Sequence, residues 1–258
     1  MVLLVFVDLD PDLAALRQLG GFFALRTTPG AAGVPAASPS TLAHMYENGP
    51  SDLYGNSMTS MTFRVRKVGN ALRAPEVRIA ASVAQQGLAA RLWSVALGCA
   101  ALYGRIPDLD PRLLHWDPDG SAPDDLWLSV VRPLPADAAT LADVVLRGHL
   151  QPLNDNLHDR YGVAEGLLWG NAASALAGAA RQLDGWARAH GRTDVAASAR
   201  ARTVELLAHP LLAGAGTLTG TAFRRRSCCL YYRVPGGGVC GDCCFTRAPR
   251  SSPRAASG

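Results

Sequence analysis

Residues 75–104 read PEVRIAASVAQQGLAARLWSVALGCAALYG. Ile79, Val83, Leu88, Leu92, Val95, Cys99 and Leu102 recur at intervals near three and four, with polar residues between them. That spacing predicts a long helix with these side chains on its buried face. The pattern returns in Val163–His190, where Leu167, Leu168, Ala172, Leu176, Ala179, Leu183 and Trp186 form one broad apolar face. Two such helices decide the fold class. The chain is mainly α (α+β with minor strands), a helical domain with a cysteine-rich loop at its C-terminal end.

The rest of the chain is read outward from these blocks. Between them, residues 105–137 are broken repeatedly by Pro and Asp, and Trp127–Val131 is a candidate strand ending at Pro133. Ala136–Leu146 predicts one helix, with Asp137 or Thr140 as N-cap, and Leu150–Tyr161 predicts another. Downstream, Thr193–Ala208 predicts a helix capped by Thr193 and stopped by Pro210. Gly214–Gly220 (GAGTLTG) lacks the GK[ST] ending of a phosphate loop and reads as a linker. Upstream, Met61–Val68 (MTFRVRKV) alternates and predicts a strand. Residues 27–60 are rich in Gly, Pro, Ser and Thr and read as loop, with one helical turn near Thr41–Tyr46. Pro11–Leu19 predicts a short helix, and the apolar MVLLVFV at 1–7 a strand or helix start. The expected units are a loop-rich region 1–74, a mostly helical domain 75–220, a metal-binding segment 221–246 and a flexible tail 247–258.

The chain has 258 residues, 48% hydrophobic and 18% charged. That composition can bury a core and excludes wholesale disorder. No apolar run approaches the roughly 18 residues of a membrane-spanning helix. Residues 1–7 lack a basic start and a small-residue cleavage site, so no secretory signal is read and the expected address is the cytoplasm. The net charge of +4 is unevenly spread. From Thr221 to Gly258 there are seven Arg and one Asp, while residues 1–220 are slightly acidic.

Five of the six cysteines (Cys228, Cys229, Cys240, Cys243 and Cys244) share that basic segment and fall within 17 residues. Cys99 sits in an apolar helical run and reads as core. Disulfides would be unusual in a reducing compartment, so the cluster suggests a metal site. Ser227–Phe245 reads SCCLYYRVPGGGVCGDCCF. Four thiolates can bind zinc tetrahedrally or hold the two irons of a [2Fe–2S] cluster. Gly241 and Asp242 are turn residues suited to a C-x-x-C pair. Neighbouring side chains of an extended strand point to opposite faces, so Cys228 and Cys229 converge only where the backbone bends. Zinc sites usually space paired ligands by two to four residues, which tilts the reading towards iron–sulfur. Val234–Val239 (VPGGGV) supplies a reversal, and its glycines expose N–H groups that can donate to cluster sulfurs.

The stretch RRRSCCLYYRVPGGGVCGDCCF, with its C-C-x10-C-x2-C spacing, resembles the FhuF-type ferric-siderophore reductases. LLWGNAASALAG at 167–178 resembles the helical segment that precedes this motif in that family. The resemblance covers roughly residues 75–246. It implies a [2Fe–2S] cluster held by Cys228, Cys229, Cys240 and Cys243, with Cys244 as a departure from the pattern. It implies single-electron reduction of siderophore-bound Fe(III) in the cytoplasm, releasing Fe(II). The implied partners are a ferric siderophore, an external electron donor of ferredoxin or flavoprotein type, and an inner-membrane transporter as neighbour. Arg224, Arg225, Arg226 and Arg233 are candidates to offset the negative charge of the cluster or to attract an anionic chelate.

Other readings stand beside this one. An Arg run is usually a solvated face, and a zinc ribbon with Arg would suggest DNA. Tyr231 and Tyr232 lie inside the metal loop rather than on a stacking platform, so nucleic acid is not expected. A non-enzymatic electron-transfer or siderophore-binding module, or a zinc-stabilised interaction module, would use the same cysteines. Trp169 reads as core, and Asn171 as a bond to a neighbouring loop or to a ligand. The six histidines (His44, His115, His149, His158, His190 and His209) show no metal spacing and read as surface or capping residues. The absence of a Rossmann fingerprint argues for a separate electron donor.

Overall fold

The computed structural model describes residues 10–27, 40–47 and 59–249. The readings of residues 1–9, most of 27–60 and the tail beyond 249 lie outside them. The described chain begins with α1 (Asp10–Ala15) and two 3-10 turns, Leu16–Leu19 and Gly21–Phe23. Strand β1 (Arg26–Thr27), α2 (Leu42–Glu47), α3 (Ser60–Leu72) and α4 (Val77–Tyr103) follow. Short strands β2 (Arg105–Pro107), β3 (Leu114–Trp116), β4 (Leu126–Leu128) and β5 (Pro133–Pro135) come next. Helices α5 (Ala138–Leu141), α6 (Gln151–Tyr161), α7 (Glu165–Ala189) and α8 (Thr193–Leu207) complete the body. Strands β6 (Gly216–Thr219) and β7 (Ala222–Arg225) lead into the cysteine loop. The mainly α reading is borne out.

Helix α4 is the axis of the core. Leu88, Leu92, Trp93, Val95, Leu97 and Cys99 are all buried, on several sides of the helix. A helix apolar all round is one enclosed by neighbours. Here α7 packs along it most extensively, with α3 and α8 on other sides. Residues 172–177 of α7 are Ala and Ser except Leu176, so the two backbones can approach closely. Gly104 ends α4 in the left-handed conformation, φ 65°, which a Cβ would disfavour.

One charged group is built into this core. Arg91 Nε donates to Asp125 Oδ1 at 2.9 Å, and both side chains are buried. The same guanidinium donates to the carbonyls of Gly21 at 3.0 Å and Ala24 at 2.7 Å. It thereby fixes the N-terminal turns against α4. The strands are short, and through their inward side chains Ile106, Leu114, Leu126 and Leu128 they join the core. They form a β1–β4–β3 sheet, with His115 opposite Trp127, and a β2–β5 ladder, with Ile106 opposite Leu134.

Several sequence expectations are corrected. Met61–Val68 is not a strand but part of α3. Met61 and Val65, four apart, are both buried, and Thr59 caps the helix by accepting from Thr62 N at 3.2 Å. The loose alternation of MTFRVRKV fits a helix face as well as a strand. The helices expected over 136–146 and 150–161 are continuous, joined by a π-helical stretch Ala142–Leu150. Asp137 is the cap, accepting from Thr140 N at 2.8 Å. Thr193 is the first residue of α8 rather than its cap. The strand near Trp127 is shorter than expected. Gly214–Gly220 is not a mere linker, since it contributes β6. His149 is neither surface nor cap. It is fully buried, with Nε2 2.6 Å from Leu109 O and Nδ1 2.9 Å from the Tyr46 hydroxyl. Burial pushes its pKa down to about 4. Among the described residues, no helix is long and apolar enough to cross a membrane.

Candidate metal centre

The cysteine loop is launched by the β6–β7 hairpin, in which Thr217 faces Arg224. Strand alternation turns Phe223 and Arg225 inward and Arg224 outward. The loop then meets the two long helices. Ser227 Oγ donates to Gly166 O in the first turn of α7 at 2.7 Å. Gly170 makes that approach possible, because a Cβ there would stand 2.3 Å from Ser227 Oγ. Ser82 of α4 donates to the carbonyl of Cys229 at 2.9 Å.

The bend that an adjacent cysteine pair requires is present. Leu230 has φ 68°, and a 3-10 turn, Tyr231–Arg233, follows it. The glycine run then reverses the chain. Gly237 N donates to Val234 O at 2.8 Å, and a Cβ on Gly237 would stand 2.5 Å from Tyr231 O. The C-x-x-C segment closes as a turn, Cys243 N to Cys240 O at 3.0 Å. Arg225 N donates to Asp242 O at 3.0 Å, tying that turn back to β7.

Cys229 is buried, and Cys228, Cys240, Cys243 and Cys244 are half-buried. Backbone N–H groups reach the sulfurs in a regular way. Leu230 N donates to Cys228 Sγ at 3.2 Å and Phe245 N to Cys243 Sγ at 3.4 Å. The N–H groups of Tyr231 and Asp242 act likewise on Cys229 and Cys240. In each of the four, the donor lies two residues after the cysteine. Within VPGGGV, the Gly237 N–H is used by the turn itself. Cys244 does not share the pattern. Its sulfur meets the thiols of Cys243 and Cys228, and burial raises its pKa.

Among the described residues, no three His, Cys, Asp or Glu side chains close round a point as ligands of one ion would. Cys229 and Cys240 make a close sulfur contact, 3.7 Å apart. Two thiolates bound tetrahedrally to one metal at about 2.3 Å stand roughly 3.7 Å apart, so this pair can share a metal as it lies. The pKa of Cys229 is lowered to about 7 by its contact with Cys240, and that of Cys240 is held well above the ordinary thiol value.

The arginines separate into different roles. Arg225 is 3% exposed and its guanidinium is held by α7. Its Nη1 donates to Asn171 Oδ1 and its Nη2 to Ser174 Oγ, the latter at 2.9 Å. Arg224 and Arg226 are exposed, and Arg224 Nη2 donates to Cys244 O at 3.1 Å. Arg233 pairs with Glu76, just before α4, at 2.8 Å. The four do not form one basic surface. Asn171 is fully buried and also donates to Ser82 O and Oγ, both at 3.0 Å. Trp169 is half-buried against the core, and Cys99 is core as expected.

Sequence reasoning missed three anchors of the loop: Ser82, Ser174 and the carboxylate of Asp242. Ser174 Oγ donates to Asp242 Oδ2 at 2.5 Å, and Arg181 Nη2 lies 3.2 Å from Asp242 Oδ1. The available signal was polar residues, Asn171 and Ser174, three apart in a run of alanines.

A helical body with a half-exposed loop of thiols, four of them met by a backbone N–H two residues on, has the donor set of a metal–thiolate protein. Residues 88–217 match the family described as ferric iron reductase FhuF-like transporter, and residues 225–245 match the FhuF 2Fe-2S C-terminal domain. The chain belongs to the FhuF-like family of ferric iron reductases, and its cofactor is a [2Fe–2S] cluster. The alternative of a zinc module falls with that match. No curated protein matches the chain.

Proposed function

We propose that the protein reduces Fe(III) held by a siderophore, with Cys228, Cys229, Cys240 and Cys243 as the ligands of its cluster. The observation that carries this reading is exposure. Cys228, Cys240 and Cys243 reach the surface, flanked by exposed Tyr231 and Phe245. A chelate too large for a pocket can approach that edge. When bound, the cluster supplies one electron at a time, which is the change from Fe(III) to Fe(II).

The protein's residues do the rest. The turn Cys240–Cys243 and the bend at Leu230 hold the thiolates, and the N–H donors stabilise their charge. Cys244 is left out of the ligand set because the C-C-x10-C-x2-C pattern is complete without it. Arg224, exposed and bonded to Cys244 O, gives that edge a positive charge for an anionic chelate or an acidic donor protein. The electron comes from an external donor of ferredoxin or flavoprotein type. Siderophore oxygens hold Fe(II) far less tightly than Fe(III), so the metal leaves after reduction. The reaction is placed in the cytoplasm, where thiols stay reduced.

The test is single-turnover reoxidation. Dithionite-reduced holoprotein, freed of excess reductant, is mixed anaerobically with ferric siderophore and a chromogenic Fe(II) chelator. Reoxidation should quicken as siderophore concentration rises, with one Fe(II) trapped per electron lost. A reduced protein that stays reduced in the presence of ferric siderophores would sink the reductase reading and leave an electron-transfer or siderophore-binding module.

A further inference from the structure

Among the described residues, the buried guanidinium of Arg225 forms no ion pair. Its partners Asn171 and Ser174 are neutral, and no carboxylate lies within ion-pair distance of it among the described residues. The nearest acid in the network, Asp242, is taken up by Ser174 and Arg181. Arg225 Nε is buried and has no hydrogen-bond partner at all. A buried charge without a counter-charge is costly, and so is a buried donor without an acceptor. Such a group calls for an explanation, and a bound ligand that completes it is one.

The position says which ligand. Arg225 stands three residues before Cys228, and its own N–H is bonded to Asp242 in the C-x-x-C turn. That turn carries Cys240, whose sulfur lies 3.7 Å from that of Cys229. A [2Fe–2S] cluster with four thiolates is net negative and gains one more negative charge on reduction.

We propose that Arg225 is the internal counter-charge of the cluster: Asn171 and Ser174 hold its guanidinium in place, and its free Nε–H donates to a cluster sulfur on the Cys229–Cys240 side. A fixed positive charge at a buried site favours the more negative, reduced state, and solvent does not screen it. Arg225 therefore raises the reduction potential of the cluster. Arg224, one residue away but exposed, does not. This inference rests on the cluster and not on the choice of siderophore as substrate.

The experiment is an anaerobic redox titration of full-length holoprotein with mediator dyes, following the visible bands and counting iron on the same samples. In Arg225→Gln, the ratio of reduced to oxidised cluster at the parent's midpoint should fall at least tenfold, which is 59 mV or more for a one-electron couple. Arg224→Gln should change that ratio less than threefold. Arg225→Lys, which keeps the charge without the Nε–H, should recover part of the loss. The paramagnetic resonance spectrum of the reduced cluster should alter in Arg225→Gln and not in Arg224→Gln. An Arg225→Gln protein that holds about two irons per chain and titrates at the parent's potential would overturn the proposal. If Arg225→Gln cannot hold iron, Arg225→Lys decides. Iron retained near the parent's potential supports the counter-charge, and iron lost from both variants makes Arg225 a structural brace and overturns it. None of these readouts uses a siderophore, so failure here is distinct from failure of the reductase reading.

Discussion

Adding one methyl group to α7, by Gly170→Ala, sets two effects of similar size against each other. In an ordinary helix interior the change stabilises by about 1 kcal/mol, because Ala has the better helix propensity. Here the new Cβ would stand 2.3 Å from Ser227 Oγ, where ordinary contact begins at 3.4 Å. The hydroxyl must retreat by about 1 Å to restore normal van der Waals separation. It can do so by rotating, which breaks its 2.7 Å bond to Gly166 O. That loss is worth about 1 kcal/mol, so the unfolding free energy of the body should stay within about 1 kcal/mol of the parent. The cysteine pair has less tolerance. Ser227 directly precedes Cys228, and metal–ligand distances hold to about 0.2 Å. Iron per chain after anaerobic reconstitution should therefore fall severalfold. Ser227→Ala in the same chain removes the clashing oxygen and leaves the two Cβ atoms 3.7 Å apart, an ordinary contact. The double variant should regain its iron. Denaturant titration and iron analysis of the three proteins suffice. A Gly170→Ala protein with full iron and a gain near 1 kcal/mol would refute the view that this contact seats the cysteine pair.

Three further outcomes are expected. Ser at Cys228, Cys229, Cys240 or Cys243 should each abolish or destabilise the visible chromophore, while Cys244→Ser keeps it; bleaching by Cys244→Ser but not by Cys243→Ser would reverse the assignment. Asp125→Ala strands the buried Arg91 charge and should cost about 3–5 kcal/mol in urea unfolding, against about 1 or less if the carbonyls of Gly21 and Ala24 satisfy the guanidinium alone. His149 titrates at about 4 in the fold against 6.5 ordinarily. Between those values the unfolded chain binds a proton that the fold refuses, so this stability is complete above pH 6.5 and falls by about 3 kcal/mol on descent to pH 4. His149→Gln should flatten that part of the stability profile, and an unchanged slope would assign it to other groups.

The long helices were legible because their apolar spacing is sustained over seven or eight turns, longer than any competing pattern. Helix α3 was misread because eight residues of loose alternation suit either period, and only packing against α4 selects one. The cysteine spacing carried the cofactor without help from the fold. The arginines did not sort themselves in the same way. RRR reads as a solvated run until Phe223 is recognised as an inward strand position, after which period two sends Arg225 inward as well. Nothing nearby in sequence marks Ser82, about 150 residues before the loop it holds, because that contact exists only once α4 and the cysteine segment are packed.

The anchors of the cysteine loop are contacts of the polypeptide with itself: Ser82 to Cys229, Ser227 to Gly166, Arg225 to Asp242, and Ser174 to Asp242. The four contacts reach α4, the first turn of α7, the middle of α7 and β7. The loop is therefore braced on both long helices at once, and a shift of α4 against α7 would be transmitted to the cysteines.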